Sequence, residues 1–270
     1  MTNAFILLSH ERSGSHFFGE FLSTLAGFRM FDEVCNPDAV RPAKHIESFH
    51  RFRYEAIEKN PLLLLEPSVQ RHREFVRDYF AYLLSIARAP NFAVDIKYGH
   101  VQNFEWCWWP ILERPSLFSI CEDNDIGIVH LYRGNVVEAT VSSMIANHRK
   151  IWHSWQIKED SDTNTPVRLP AYEVARKAKL LQQQTNLFKD WTARNKKLAV
   201  TYEQVAAELG KGGELDSSVT QFLGTQLKRS FQPRVQKLTQ PLHAAVENFE
   251  ELQKVCTEAG LGSFVSGGMV

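Results

Sequence analysis

A polar segment near the N-terminus, residues 9–16, carries the side chains best suited to bind an anion. It follows a short apolar run and precedes apolar residues spaced three to four apart, an order that predicts a strand, a turn and a helix. The first backbone N–H groups of a helix lack partners within the helix and can bind anions. Arg12 adds a permanent charge, Ser13 and Ser15 add hydroxyls, and Gly14 allows close approach of the backbone. The segment is therefore predicted to bind a phosphate group.

The spacing within this segment disfavours a nucleoside-triphosphate P-loop and, with it, kinase chemistry. That loop needs G-x-x-x-x-G-K-[ST], and neither the first glycine nor the Lys-Ser/Thr pair is present. The run R-S-G-S instead resembles the 5′-phosphosulfate loop of sulfotransferases that use 3′-phosphoadenosine 5′-phosphosulfate (PAPS). The resemblance implies that Arg12, Ser13, Gly14 and Ser15 bind the cofactor, and that Arg12 also acts in catalysis. His16 stands where these loops more commonly have Thr or Ser, and we expect it to donate to the same phosphate.

A second motif lies far along the chain, after the buried-type strand at residues 126–131. Arg133 follows this strand, and the next predicted helix carries Ser142 and Ser143. In the same sulfotransferases a strand-terminal arginine and a serine on the next helix hold the 3′-phosphate, which implies that role for Arg133 and Ser142. The nine-residue spacing between them resembles the bacterial branch that includes glycolipid and trehalose sulfotransferases. Ser143 remains a rival for the role of the serine.

A third block favours the same interpretation. Residues 198–201 are typical of a strand, and Thr201 with Gln204 has the spacing of a capping box that opens a helix ending at Gly210. A Tyr-Glu pair at this place recurs in the family. The resemblance therefore implies that Tyr202 lies near the adenine of the cofactor.

Two further residues gain a role from the resemblance. Lys237 lies in a basic stretch before the terminal helix expected within residues 241–252, and we expect it to contact a phosphate. Trp152 follows the second motif and is the expected acceptor-binding residue, because aromatic planes stack on sugars or line a lipid pocket. Carbohydrate, glycolipid, phenol and amine acceptors all stay open.

Transfer of a sulfuryl group to a hydroxyl or an amine needs a base that takes the proton of the acceptor. An acidic residue after the first helix resembles the glutamate base of the bacterial branch; Glu33 is our choice, and Asp32 is left open. The rival is His100, because eukaryotic relatives place a histidine after a lysine at the end of the corresponding strand. We expect a base on the first-helix loop and one at this strand end to approach the acceptor from different walls of the cleft. Lys97 either assists the sulfuryl oxygens or pairs with Asp95.

Length and element order predict the fold. The chain has 270 residues, of which 44% are hydrophobic, enough for one sizeable core. Predicted strands near residues 4, 92, 126 and 198 are separated by helical stretches, which indicates an α/β fold with a central parallel sheet flanked by helices. The resemblance implies a P-loop-like sulfotransferase architecture in a single domain over residues 1–270. Ligands of such sheets bind at the carboxyl ends of the strands, where both phosphate motifs lie.

Net charge, cysteine spacing and the length of apolar runs limit the kinds of partner and compartment to be expected. The 31 basic and 31 acidic residues give a formal net charge of zero, so no overall basic field favours nucleic acid. The four cysteines are scattered without C-x-x-C pairs, which favours a reduced, cytoplasmic protein without a metal site. The longest purely leucine run, residues 62–65, is far short of the roughly 20 residues that span a bilayer.

The sequence thus predicts a PAPS-dependent sulfotransferase that acts on a small-molecule, carbohydrate or lipid acceptor. Its nucleotide product is 3′,5′-adenosine bisphosphate (PAP), and no metal is expected. Two alternatives stay open. One is a nucleotide-dependent kinase on a related α/β core, which would need Mg²⁺ and a lysine that reaches the phosphates. The other is a nucleotide-binding protein without catalytic activity.

Overall fold

A central parallel sheet organises the chain in a computed structural model. The structure describes residues 3–36, 46–64, 68–105, 113–151, 165–228, 231 and 241–265. Within these ranges five strands form one sheet in the order β2-β3-β1-β4-β5, and every neighbouring pair is parallel. The strands are β1 (Asn3–Ser9), β2 (Phe28–Glu33), β3 (Asn91–Lys97), β4 (Gly127–Tyr132) and β5 (Lys197–Thr201).

Helices connect and cover these strands, as the alternating pattern predicts. In chain order they are α1 (Ser15–Leu22), α2 (Phe49–Lys59), α3 (Val69–Ala87), α4 (Ser116–Asp123), α5 (Val136–Arg149), α6 (Ala171–Trp191), α7 (Tyr202–Glu208), α8 (Glu214–Leu223), α9 (Leu242–Ala245), α10 (Phe249–Glu258) and α11 (Gly262–Val265). Short 3₁₀ helices span Pro61–Leu64 and Tyr98–Phe104. In the described ranges no helix has both the length and the apolar character needed to cross a membrane.

Side chains from both faces of the sheet are buried, which confirms the predicted α/β class. On β1, Ile6 and Leu8 belong to a core cluster that includes the α3 residues Val76 and Leu83. Their neighbours on β1 point to the opposite face, because successive side chains of a strand alternate. There Phe5 and Leu7 pack in a second cluster with apolar residues of α1 and α8. The sheet therefore lies between two helical layers.

The strand β2 was not predicted, and its presence corrects the placement of Glu33. The sequence pattern predicts a loop for Glu33 after the first helix, whereas Glu33 is the last residue of β2 and pairs with Asp95 of β3. β2 lacks the apolar run that predicts a buried strand, because it lies at the edge of the sheet. There Arg29 and Asp32 are exposed and interrupt its apolar residues. Glu33 thus lies at the same edge of the sheet as the phosphate motifs.

The region in which the terminal helix is expected, within residues 241–252, contains one short helix and the start of a second. It forms α9 and α10, separated by a bridge between Val167 and Val246. The Val167 N–H donates to the Ala245 carbonyl at 2.9 Å, and the Glu247 N–H donates to the Val167 carbonyl at 3.2 Å. Since these backbone groups bond to a separate segment, the helix cannot continue through them.

Two histidines are buried in the fold as neutral side chains. His130 of β4 is fully buried and hydrogen-bonds through Nε2 with the Tyr98 hydroxyl at 2.5 Å, and its burial lowers its pKa to about 3. His72 of α3 lies 3.2 Å through Nε2 from the Ser116 hydroxyl, and its burial lowers its pKa to about 4. In the unfolded chain each imidazole binds a proton below about pH 6.5.

We therefore expect acid to destabilise the protein as the pH falls from about 6.5 towards 4. The unfolded chain then binds more protons than the native one, and each histidine lowers the free energy of unfolding by about 1.4 kcal/mol per pH unit. Urea denaturation at pH 7 and pH 5 measures the difference. His130→Gln should reduce the pH slope, whereas His148→Gln at an exposed position should leave it unchanged. An unaltered slope in His130→Gln would contradict the assignment.

Candidate functional site

The loop between β1 and α1 has the backbone shape of an anion site. Gly14 has φ +80° and Arg12 has φ +62°, a left-handed conformation that residues other than glycine seldom adopt. The Ser13 N–H donates to the His10 carbonyl at 3.3 Å and closes the turn. The N-cap residue of α1 is Gly14, which has no side chain to cap the helix, and the first turn holds no acidic residue. The positive end of the helix dipole therefore faces the loop without a carboxylate in the first turn to compensate it.

Ser13 supplies an orphan hydroxyl in this loop. The residue is only 1% exposed, and its Oγ has no hydrogen-bond partner among the described residues. A buried hydroxyl without a partner costs free energy that a ligand oxygen can recover. The chemistry of the loop thus fits a phosphate or sulfate group.

Lys97, the last residue of β3, ties this loop to the neighbouring strand. It is 4% exposed and donates to both Asp95 carboxylate oxygens, at 2.7 and 2.9 Å. It also donates to the Ser15 hydroxyl at 2.5 Å and to the Ser9 hydroxyl at 3.2 Å. The register explains these contacts, because Lys97 lies opposite Ser9 on β1. Of the two roles expected for Lys97, the structure shows the pairing with Asp95, and it adds a link to the loop.

Glu33 and His100 lie around Lys97. The Glu33 Oε1 is 3.6 Å from the Lys97 ammonium, and the Glu33 side chain is 38% exposed. His100 lies on the 3₁₀ helix that follows β3. Its pKa is lowered, first by burial, while the charge of Glu33 raises it and that of Lys97 lowers it. The two candidate bases therefore share one corner of the site instead of lying on different walls, and the expectation of separate walls is corrected. Asp32 is exposed on β2.

Arg133 joins the second motif to the first. It follows β4 directly, is 7% exposed, and its Nε donates to the Arg12 carbonyl at 3.2 Å. The pKa of Arg12 is lowered by burial and, second, by the charge of Arg133. Two guanidinium groups far apart in sequence thus lie close together. An anion between them would offset their repulsion.

Tyr202 completes the junction between the motifs. It is the first residue of α7, whose capping box of Thr201 and Gln204 is formed as predicted. The Arg133 guanidinium carbon lies 3.7 Å from the centre of the Tyr202 ring. A Cβ atom at Gly14 would collide with the same ring, so only glycine leaves room for it. The ring fills the space between the loop and Arg133.

The remaining residues predicted from the sequence make no hydrogen bond to Arg133 in the described part of the chain or lie outside it. Ser142 is buried on α5 and Ser143 is half-buried, and within the described part of the chain neither hydrogen-bonds to Arg133. His16 is exposed on α1. Trp152 and Lys237 lie outside the described residues.

A family model matches the part of the chain that holds the second motif. Residues 124–246, which contain β4, Arg133 and Tyr202, match the family model described as Stf0 sulphotransferase. The match supports a sulfotransferase family for the chain and does not include the loop between β1 and α1. No curated protein sequence matches the chain.

Solved sulfotransferases are similar to the chain at low identity. The sulfotransferase from Alicyclobacillus acidocaldarius is 12% identical with a TM-score of 0.48, over 100% of this chain and 97% of that one. A sulfotransferase domain from the curacin biosynthetic pathway is 15% identical with a TM-score of 0.45, over 91% and 82%. A mouse sulfotransferase complexed with PAP is 12% identical with a TM-score of 0.42, over 99% and 68%.

Proposed function

We propose that this chain, as a single domain over residues 1–270, is a PAPS-dependent sulfotransferase. The observation that carries the proposal is the direct bond from Arg133 Nε to the Arg12 carbonyl. It joins two motifs, each of which the family resemblance assigns to a different phosphate of one nucleotide. A protein that bound a single phosphate would need only one of them.

The proposed cofactor contacts follow from this arrangement. The loop residues between β1 and α1 contact the 5′ end of the cofactor. Arg133 and Ser142 bind its 3′-phosphate, and Tyr202 lies beside the nucleotide. The orphan Ser13 hydroxyl supports the first assignment. PAPS supplies the activated sulfuryl group when bound. The cofactor-binding residues are Arg12, Ser13, Gly14, Ser15, His16, Arg133, Ser142, Tyr202 and Lys237.

Glu33 is the proposed base. The side chain is accessible at the end of β2, where a carboxylate can accept the proton of an acceptor hydroxyl or amine. Lys97 lies between this carboxylate and the loop, so its charge is placed to neutralise the negative charge that develops on the transferred group. His100 is the alternative base. Trp152 is the proposed contact to a small-molecule, carbohydrate or lipid acceptor.

Transfer itself is tested with sulfur-labelled PAPS and a panel of phenols, amines, sugars and glycolipids. Label that moves to any acceptor supports the proposal and identifies the acceptor class. Tight PAP binding with no transfer to any member of the panel would instead favour the nucleotide-binding protein without catalytic activity.

Arg133→Ala tests the assignment of the 3′-phosphate. The variant should lose most of its preference for PAPS over adenosine 5′-phosphosulfate, by about 1.5–3 kcal/mol, because a hydrogen bond to a charged group is removed. Competition calorimetry with the two nucleotides measures the preference, and circular dichroism shows that the variant is folded. A folded variant that keeps the wild-type preference would reassign Arg133 to a structural role.

A further inference from the structure

The Glu203 carboxylate crosses from the start of α7 to the neighbouring strand end. Its Oε2 accepts the Gly134 N–H at 2.9 Å, and its Oε1 accepts the Asn135 N–H at 3.3 Å. Oε1 also lies 3.8 Å from Arg133 Nη1. One side chain therefore fixes three successive residues of the β4–α5 connection.

The backbone that carries Glu203 is itself fixed. The capping box of Thr201 and Gln204 closes around it, and Thr201 pairs with Tyr132 in the sheet. Glu203 thus extends from a rigid turn. The segment that it holds begins at Arg133, one residue after Tyr132, the strand partner of Thr201. A carboxylate placed this way controls orientation more than stability, since its side chain is 40% exposed.

The carboxylate has two effects on Arg133. It occupies the Gly134 and Asn135 N–H groups next to the N-terminus of α5, donors that would otherwise attract an anion. It also holds one end of the guanidinium, while Tyr202 covers a face and the Arg12 carbonyl takes Nε. Arg133 Nη1 is buried and makes no hydrogen bond with the described residues. The Arg133 guanidinium is therefore held in one orientation, and its Nη1 can still donate to a phosphate oxygen.

We propose that Glu203 is a positioning residue for 3′-phosphate recognition: it directs the phosphate to Arg133 by holding that side chain and by blocking the adjacent helix N-terminus. The inference rests on the proposed function, because it takes Arg133 as the 3′-phosphate contact. Glu203 itself does not touch the nucleotide.

The test measures selectivity, which a merely structural residue would not alter. Calorimetry gives the dissociation constants of PAP and adenosine 5′-monophosphate, and their ratio is the 3′-phosphate preference. Glu203→Gln keeps the shape of the side chain but loses its charge and one acceptor. We expect the preference to fall by roughly tenfold, mainly through weaker PAP binding, because the ion pair with Arg133 and one of the two backbone hydrogen bonds are lost. Glu208→Gln, an exposed position on the same helix, is the matched control and should keep the preference.

A double-mutant cycle shows whether Glu203 acts through Arg133. In an Arg133→Ala background, Glu203→Gln should change the preference no further, because the group that it positions is gone. Arg133→Lys provides a second background if the alanine variant does not fold. A folded Glu203→Gln variant with the wild-type preference, or equal effects with and without Arg133, overturns this inference alone. Wild-type protein that binds both nucleotides equally overturns the proposed 3′-phosphate site as well.

Discussion

Glu33→Gln is expected to lower turnover by roughly two to four decades while PAP affinity stays unchanged. The amide keeps the shape of the side chain but cannot take the proton of the acceptor. Glu33 lies 3.6 Å from Lys97, and that ion pair is also lost in the variant. Steady-state kinetics at saturating PAPS measures the effect on turnover, and calorimetry with PAP shows that the nucleotide site is intact.

The His100→Asn variant distinguishes the two candidate bases. Glu33 lies 3.6 Å from Lys97, and the charges of both groups act on His100, so either variant alters the same corner of the site. If Glu33 is the base, His100→Asn should change turnover little. Loss of turnover in His100→Asn with an active Glu33→Gln would assign the base to His100. Full activity in both variants would show that the acceptor needs no base from the protein.

Arg12→Ala should weaken PAP binding and lower kcat/KM together, the latter by about two to three decades. The guanidinium offers a fixed charge to the cofactor both before and during transfer, so its loss affects the ground state and the transition state alike. Titration calorimetry and initial rates on the same protein sample give both quantities. Arg12 also lies beside Arg133, so the neighbouring cation remains after the substitution.

Arg194→Ala is the matched control for this loss of charge. Arg194 is 74% exposed at the side chain and pairs with Glu122 at 3.5 Å, away from the loop. It should bind PAP and turn over as the wild type does. Wild-type kinetics in Arg12→Ala would mean that the loop after β1 does not bind the transferred group.

Much of the fold follows from local patterns along the chain. The strands β1, β3, β4 and β5 are short apolar runs bounded by polar turns, and a parallel sheet forces their carboxyl ends to one edge. The capping box at Thr201 is likewise a local signal, since its partners lie three residues apart. β2 is different, because it lies at the sheet edge, and its exposed residues Arg29 and Asp32 interrupt the apolar run.

The contacts of the candidate site depend on strand order, which local patterns do not specify. Lys97 reaches Ser15 only because β3 lies beside β1, and Arg133 reaches Arg12 only because β4 lies on the other side of β1. The sequence signal for Lys97 was its strand-end position two residues after Asp95, which places both side chains on one face. The roles of Trp152 and Lys237 stay predictions.

Calorimetric titration of the wild-type protein with PAP in the absence of metal is the most direct test of the central claim. We expect saturable binding of PAP that is clearly tighter than that of adenosine 5′-monophosphate, because Arg133 and its neighbours contact the 3′-phosphate. Added Mg²⁺ should leave this binding unchanged. No binding of PAP, or binding of ATP only when Mg²⁺ is present, would contradict the assignment as a sulfotransferase and favour the kinase alternative.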